Sequence, residues 1–152
     1  MIIIFYPVIV PSDVTITKIR DCLERNDRMG RYGHRFVKTK TGIRFELLPN
    51  NSVDQYILKS PEYPCLAECQ RAMDELKYFI IHEKVSSIKS PNVRYEYDGN
   101  LSHGFRYRKP NGELLPYVSR TYWAKSSVNK AIVTIYSHID EYVSYCKGTE
   151  EL

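Results

Sequence analysis

Apolar residues recur at intervals of three and four in two stretches of the chain, which is the spacing of one face of a helix. The first stretch carries Leu66, Cys69, Met73, Leu76 and Ile80. The second carries Val128, Ile132, Ile135, Ile139 and Tyr142. Ser126 or Ser127 precedes the second stretch and can cap it. The pattern predicts two amphipathic helices.

Ahead of the first helix, apolar and polar residues alternate with a period of two, as in a half-buried strand. Residues 35–48 read as a hairpin that turns at Thr41-Gly42. Pro49-Asn50-Asn51 then marks another turn, and residues 56–58 form a third short strand. Three strands followed by one helix are therefore predicted for this region.

The same order returns ahead of the second helix. Strands are predicted at residues 94–97, 105–108 and 114–118. The turns between them are signalled by Asp98-Gly99-Asn100 and by Pro110-Asn111-Gly112. The region again reads as three strands followed by one helix.

The two regions align with each other at an offset of 59 residues. At this offset Ser60-x-x-Tyr63 falls on Ser119-x-x-Tyr122, and the two helical stripes coincide. Upstream, Ile43-Arg44-Phe45 is matched to Phe105-Arg106-Tyr107 after a length change in the loop, which costs little. We therefore predict a duplicated unit and an α+β fold, in which each unit is a three-stranded antiparallel sheet packed on one helix.

The predicted organisation has four parts. They are an N-terminal strand–helix segment (1–33), unit one (34–82), a linker (83–92) and unit two (93–147). In the N-terminal segment, residues 2–10 read as a strand, and a helix capped by Ser12 or Asp13 ends near Arg28. The apolar start lacks a basic signal region and is too short to span a bilayer. We expect a soluble, cytoplasmic protein without a membrane partner.

The sequence of unit two resembles a known family. It runs through Gly104, Phe105, Arg106, Arg108, Asn111, Gly112, Ser119, Tyr122 and Ala131. This succession is similar to that of the YegP-like family of small bacterial proteins, which often carry two such units in tandem. The resemblance implies an antiparallel three-stranded sheet packed on one helix per unit. It implies no activity, and no site residue is carried over from it.

Side chains suited to catalysis or metal binding show no recognisable spacing. Cys65-x-x-x-Cys69 has no second pair nearby, and the four histidines form no i,i+4 pair. Ser60 and Ser119 precede a tyrosine three positions on rather than a glycine-rich elbow. We therefore predict a non-enzymatic protein with no catalytic residue, no metal site and no cofactor.

Charge and tyrosine content leave two kinds of binding open. The net charge is +4, with 11 basic and 10 acidic residues in residues 1–76 against 11 and 8 in residues 77–152. This mild excess permits nucleic-acid binding without requiring it. The 13 tyrosines suit either strands or interfaces.

Basic residues of the strands form the first candidate binding surface. Alternation predicts that Arg44, Arg106 and Arg108 face away from the helices. The neighbouring candidates are Arg94, Arg120, Trp123 and Lys125. A sheet that presents arginine can read a DNA groove. The alternative is a solvated face with scattered ion pairs, because Glu46, Glu96 and Glu113 interrupt the basic residues.

A second basic stretch precedes unit one. Arg28, Arg31 and Arg35 flank a glycine-containing loop, which could grip a phosphate. The alternative is a solvated helix face with i,i+4 pairs such as Asp21–Arg25.

Two functional hypotheses follow. The first is a small binding module that acts through a protein partner, as an inhibitor or adaptor similar to the accessory proteins of mobile elements. The second is a nucleic-acid-binding protein that uses the arginine-bearing sheet faces.

Overall fold

The structure is a computed structural model that describes residues 33–49 and 55–150, without the side chains of residues 145–150. The predicted N-terminal strand and helix lie outside the described residues. Arg28 and Arg31 therefore also lie outside them, and the phosphate-binding loop stays a prediction.

Each unit contains three strands and one helix. Unit one contains β1 (His34–Lys38), β2 (Ile43–Leu47), β3 (Leu58–Lys59) and α1 (Leu66–His82). Unit two contains β4 (Val93–Tyr97), β5 (His103–Tyr107), β6 (Val118–Ser119) and α2 (Lys125–Glu150). The predicted α+β fold with antiparallel sheets in tandem units is confirmed.

Three element boundaries differ from the predicted ones. The third strands are only two residues long and begin later than expected, because most of the preceding residues form loops. The second helix begins at Lys125, so that Ser126 and Ser127 lie inside its first turn instead of capping it. Cys65 occupies the N-cap of α1, where its side chain makes no capping hydrogen bond.

The third strands join the two units. The four-stranded sheet has the order β1-β2-β3-β6, and β4 and β5 form a two-stranded sheet. In the antiparallel pairing of β3 with β6, Lys59 lies opposite Val118 and Leu58 lies opposite Ser119. Lys59 and Val118 are equivalent positions of the two units at the offset of 59 residues. A pseudo-two-fold axis therefore passes through this one residue pair.

The serine of each Ser-x-x-Tyr motif makes the same hydrogen bonds in both units. Ser60 Oγ accepts from the Phe45 amide and Ser119 Oγ accepts from the Phe105 amide, both at 2.9 Å. Each hydroxyl also donates to the carbonyl of the next residue, at 2.8 Å and 2.9 Å respectively. The motif therefore ties the second strand of each unit to the segment that leads into its helix.

The tyrosine of the motif also repeats its contact and reveals the true strand equivalence. Tyr63 bridges Ile43 through backbone hydrogen bonds, and Tyr122 bridges His103 in the same way. Phe45 is thus equivalent to Phe105, and the predicted match of Phe45 to Tyr107 was wrong by two residues. Because strand side chains repeat with a period of two, this error left every residue on its predicted face.

The core lies between the sheets and the two helices. Phe45 and Phe105 from the strands, and Leu76 and Ile135 from the helices, are among the buried residues. Burying each such side chain contributes about 1.5–3 kcal/mol, so this layer supplies most of the stabilisation. The sheet faces opposite the helices, called the outer face below, are left for other contacts.

Candidate binding site

The outer face carries the predicted arginines at defined positions. Across the four-stranded sheet, pairing aligns Arg35 with Glu46, Glu46 with Lys59, and Lys59 with Val118. In the two-stranded sheet, Arg94 lies directly opposite Arg106. These six residues are called the outer row.

In unit one the arginines of the outer face are neutralised by a buried carboxylate. Arg35 Nε donates to Glu46 Oε1 at 2.7 Å, and Arg44 Nη2 donates to Glu46 Oε2 at 2.9 Å. Glu46 is only 1% exposed, so both of these charge-assisted bonds are well shielded from water. Arg35 and Arg44 therefore belong to an internal ion cluster that limits their availability to a ligand.

In unit two an arginine, Arg106, occupies the position of Glu46. Arg106 Nη2 donates to the Leu115 carbonyl at 2.8 Å, while its Nε is buried without a hydrogen-bond acceptor. Arg94 is 58% exposed, and its Nε lies 3.9 Å from Glu96 Oε1, beyond hydrogen-bonding distance. The two opposed guanidinium groups consequently lack a shared carboxylate such as unit one has.

Arg108 and Arg120 are engaged within the protein. Arg108 lies one residue beyond the end of β5, where it bridges Leu114, and its Nε donates to the Pro91 carbonyl at 2.5 Å. The Arg120 guanidinium donates to the Gln55 side-chain oxygen and lies 5.1 Å from the centre of the Tyr122 ring. Neither side chain projects as a free cation.

A groove crosses the outer face of unit two. Its volume is about 530 Å³, and its lining includes Arg94, Glu96, Gly104, Val118 and Thr121. The position equivalent to Gly104 in unit one is occupied by Arg44. At this position of the groove lining, unit two therefore has no side chain where unit one has an arginine.

Aromatic side chains gather at one end of unit two. His103 lies with its ring 4.8 Å from that of Tyr97 and 5.7 Å from that of Tyr95, and it also hydrogen bonds to the Tyr95 hydroxyl. Lys125 Nζ lies 4.8 Å from the centre of the Tyr95 ring, which explains where this predicted basic residue is held. Tyr95, Tyr97, Leu101, His103 and Trp123 are called the aromatic end below.

Three side chains of the aromatic end are largely exposed to solvent. Trp123 is 81% exposed, Leu101 60% and Tyr97 55%. Trp123 is placed there because Tyr122, the preceding residue, bridges His103. Burial raises the pKa of Tyr122 to about 12, so this supporting ring stays neutral.

Of the aromatic end, the sequence indicated Trp123 and Tyr97 as stacking residues, and it indicated Lys125 as a neighbouring basic residue. A signal for the other residues was present, since Tyr95 and Tyr97 alternate on β4 opposite Phe105 and His103. This signal depends on the register of the β4–β5 hairpin, which places His103 directly opposite Tyr97.

Comparison with known proteins supports the fold. No family model matches the chain, and no curated protein matches it. The solution NMR structure of YegP from E. coli, a protein of unknown function, matches with a TM-score of 0.54 and 16% identity over 71% of this chain and 85% of YegP. The chain has a YegP-like fold, as the resemblance of unit two indicated, and this likeness shows the fold alone.

Residues 33–49 and 55–150 contain neither a membrane-spanning helix nor a cluster of metal ligands. None of the helices in these ranges is long and apolar enough to cross a bilayer. The same ranges hold no group of three or more His, Cys, Asp or Glu side chains that could bind a metal ion.

Proposed function

We propose that this chain is a small non-enzymatic binding module, an inhibitor or adaptor that contacts a protein partner through the aromatic end. The observation that carries the proposal is the exposure of Trp123, Tyr97 and Leu101. The bridge of Tyr122 to His103 brings the backbone of Trp123 to the hairpin end, where the His103 ring packs on Tyr97. Each tryptophan or tyrosine offers about 150–250 Å² of rigid surface. Such side chains account for a large share of binding energy at protein interfaces.

The contrast with unit one supports the same proposal. The positions equivalent to Tyr97, His103 and Trp123 are Lys38, Ile43 and Pro64. These residues complete the fold of unit one without presenting an aromatic surface. The aromatic end is therefore not needed to build this kind of unit, which favours a role in binding.

Photo-crosslinking in cells that naturally express the protein tests the proposal. Trp123 is replaced by p-benzoylphenylalanine in one variant, and Pro64, its equivalent in unit one, in the matched control. We expect one reproducible adduct from position 123, none from position 64, and loss of the adduct when Tyr97→Ala is added. Equal adducts from both positions, or none from position 123, would contradict the proposal.

Nucleic-acid binding is the second candidate, and the outer row favours it. The row holds four cations, Arg35, Lys59, Arg94 and Arg106, against the single carboxylate of Glu46. The argument against DNA binding is that Arg35, Arg106, Arg108 and Arg120 already donate hydrogen bonds to acceptors within the protein. For this reason we place protein binding first.

Generic duplex DNA distinguishes the two candidates. A DNA-binding surface would lose affinity steeply as salt rises, with the slope reduced by about one for each phosphate-contacting residue removed, for instance in Arg94→Ala. We expect no binding at low salt. Salt-dependent binding that Arg94→Ala weakens would reverse our order of the two candidates.

A further inference from the structure

The strand β4 forms an open edge of its sheet. On the side away from β4, β5 is hydrogen bonded to the residues that lead from β6 into α2. The Phe105 amide donates to Ser119 Oγ, and the His103 amide donates to the Tyr122 carbonyl at 2.8 Å. The pairs Tyr95–Phe105 and Tyr97–His103 are therefore the non-hydrogen-bonded pairs of the hairpin. In such pairs the amide and carbonyl of the outer strand point away from the sheet.

Two amides and two carbonyls, those of Tyr95 and Tyr97, consequently line the free side of β4. Within the described ranges no other strand pairs with them. Proteins usually protect such an edge with proline, lysine or a bulge. Residues 93–97 contain no proline, no lysine and no bulge in their pairing.

We propose that β4 accepts an extended segment of the protein partner as an additional strand, in which acidic and apolar side chains alternate. This inference rests on the proposed function, because the added strand would lie against the aromatic end. Main-chain hydrogen bonds to Tyr95 and Tyr97 would supply affinity, and alternate side chains would supply specificity.

The two faces of β4 suit a strand in which acidic and apolar side chains alternate. On the helix side, apolar residues of the added strand would lie against Tyr97 and Tyr95. On the outer face, an acidic residue would lie beside Arg94, with Arg106 next to it on β5. Unit one shows that the fold places a carboxylate between two arginines on this face, because Glu46 does so within the chain. The partner would supply to Arg94 a closer carboxylate than Glu96, whose Oε1 lies 3.9 Å from the Arg94 Nε.

The equivalent edge, β1, does not offer the same chemistry. Its arginine, Arg35, is already bonded to Glu46. Its residue equivalent to Tyr97 is Lys38, whose charge protects an edge against strand addition. The comparison selects β4 as the receptor strand.

Random dodecapeptides displayed on yeast provide the probe, and the full chain is the bait. We expect enriched peptides to alternate acidic and apolar residues. Tyr97→Pro removes an outward amide without touching the β4–β5 hydrogen bonds, and we expect it to weaken binding about tenfold or more. Lys38→Pro, the equivalent change on β1, should leave affinity unchanged, and Tyr97→Ala separates loss of the ring from loss of the amide.

Amide hydrogen exchange gives a second readout on the same peptides. The Tyr95 and Tyr97 amides should exchange rapidly in the free protein and become protected in the complex. Enriched peptides without alternation, unchanged exchange at both amides, or full binding by Tyr97→Pro would overturn strand addition. Failure to enrich any peptide would also overturn it.

The two proposals can fail separately. A partner adduct at position 123 combined with full binding by Tyr97→Pro would retain the aromatic end as a binding surface and reject strand addition. No adduct from position 123 in the otherwise unchanged chain would reject the proposed function itself.

Discussion

Unit one and unit two place different side chains on the same backbone positions. Where unit one has Glu46, unit two has Arg106, and where unit one has Arg44, unit two has Gly104. The residue after the motif tyrosine also differs, because it is Pro64 in unit one and Trp123 in unit two. Unit one thus satisfies its outer face internally, whereas unit two leaves arginine, groove and aromatic rings exposed.

This difference separates what builds the fold from what is left for binding. The features shared by both units are the serine hydroxyls, the tyrosine bridges and the helical stripes. Each of these is a packing or hydrogen-bonding feature. Features that occur in unit two alone contribute little to the core, so they are the ones for which a functional explanation is needed.

The largest expected effect tests whether the two cores are equivalent. Phe45→Ala and Phe105→Ala each remove a buried ring from the same position of its unit. We expect each change to lower the free energy of unfolding by about 3–5 kcal/mol, measured by urea denaturation. A loss for one variant less than half of that for the other would break the equivalence.

The next effect concerns the outer face. Glu46→Gln keeps the shape of the side chain but removes the charge that Arg35 and Arg44 share. We expect a loss of about 1–3 kcal/mol in unfolding free energy, because two charge-assisted hydrogen bonds become weaker. Arg106→Glu should change the free energy of unfolding by less than about 1 kcal/mol, because it places a carboxylate opposite Arg94.

A matched control accompanies these two variants. Glu113 forms an ion pair with Lys109 and is largely exposed, so Glu113→Gln should change stability by less than about 0.5 kcal/mol. Equal losses from Glu46→Gln and Glu113→Gln would show that the buried carboxylate does not stabilise unit one.

Ser60→Ala and Ser119→Ala probe the hydrogen bond that repeats in both units. Each removes the acceptor of a strand amide, at Phe45 and Phe105 respectively. We expect a loss of about 1–2 kcal/mol for each, larger for Ser60 because it is more buried. Ser126→Ala is the control, and thermal melting is the measurement. A smaller loss at Ser60 than at Ser119 would contradict this account.

The smallest effect depends on pH. Burial lowers the pKa of His138, the Lys77 ammonium lowers it further, and Glu141 opposes both. The unfolded chain therefore takes up a proton below about pH 6.5 that the folded chain resists, so stability falls as the pH falls through this range. His138→Phe introduces the residue of unit one, Phe79, and should flatten the dependence. An unchanged slope in the melting temperature between the two proteins would exclude this role for His138.

Much of the fold could be predicted because its signals are local. The stripes through Leu76 and Ile135, and the turns at Gly99 and Gly112 with positive φ, depend on neighbouring residues alone. The pairing of β3 with β6 could not be predicted, since two-residue strands carry no periodicity. It depends on where two distant segments meet.

The site was harder to predict than the fold. The sequence indicated an arginine-bearing face, but it did not show that Arg106 and Arg108 bond to carbonyl oxygens of Leu115 and Pro91. Main-chain acceptors have no sequence signature, because every residue supplies one. The aromatic end needed the hairpin register, and so alternation alone indicated only part of it.

The residue pair on the pseudo-two-fold axis has a consequence for how such a chain can arise. Two identical copies of unit one would meet at this axis with Lys59 opposite Lys59, and like charges directly opposite each other destabilise a strand pair. Val118 removes this repulsion in the present chain. Divergence of one copy at this position therefore favours pairing of two unlike halves over self-association of unit one, so a fused chain pairs better here than a symmetric dimer of unit one.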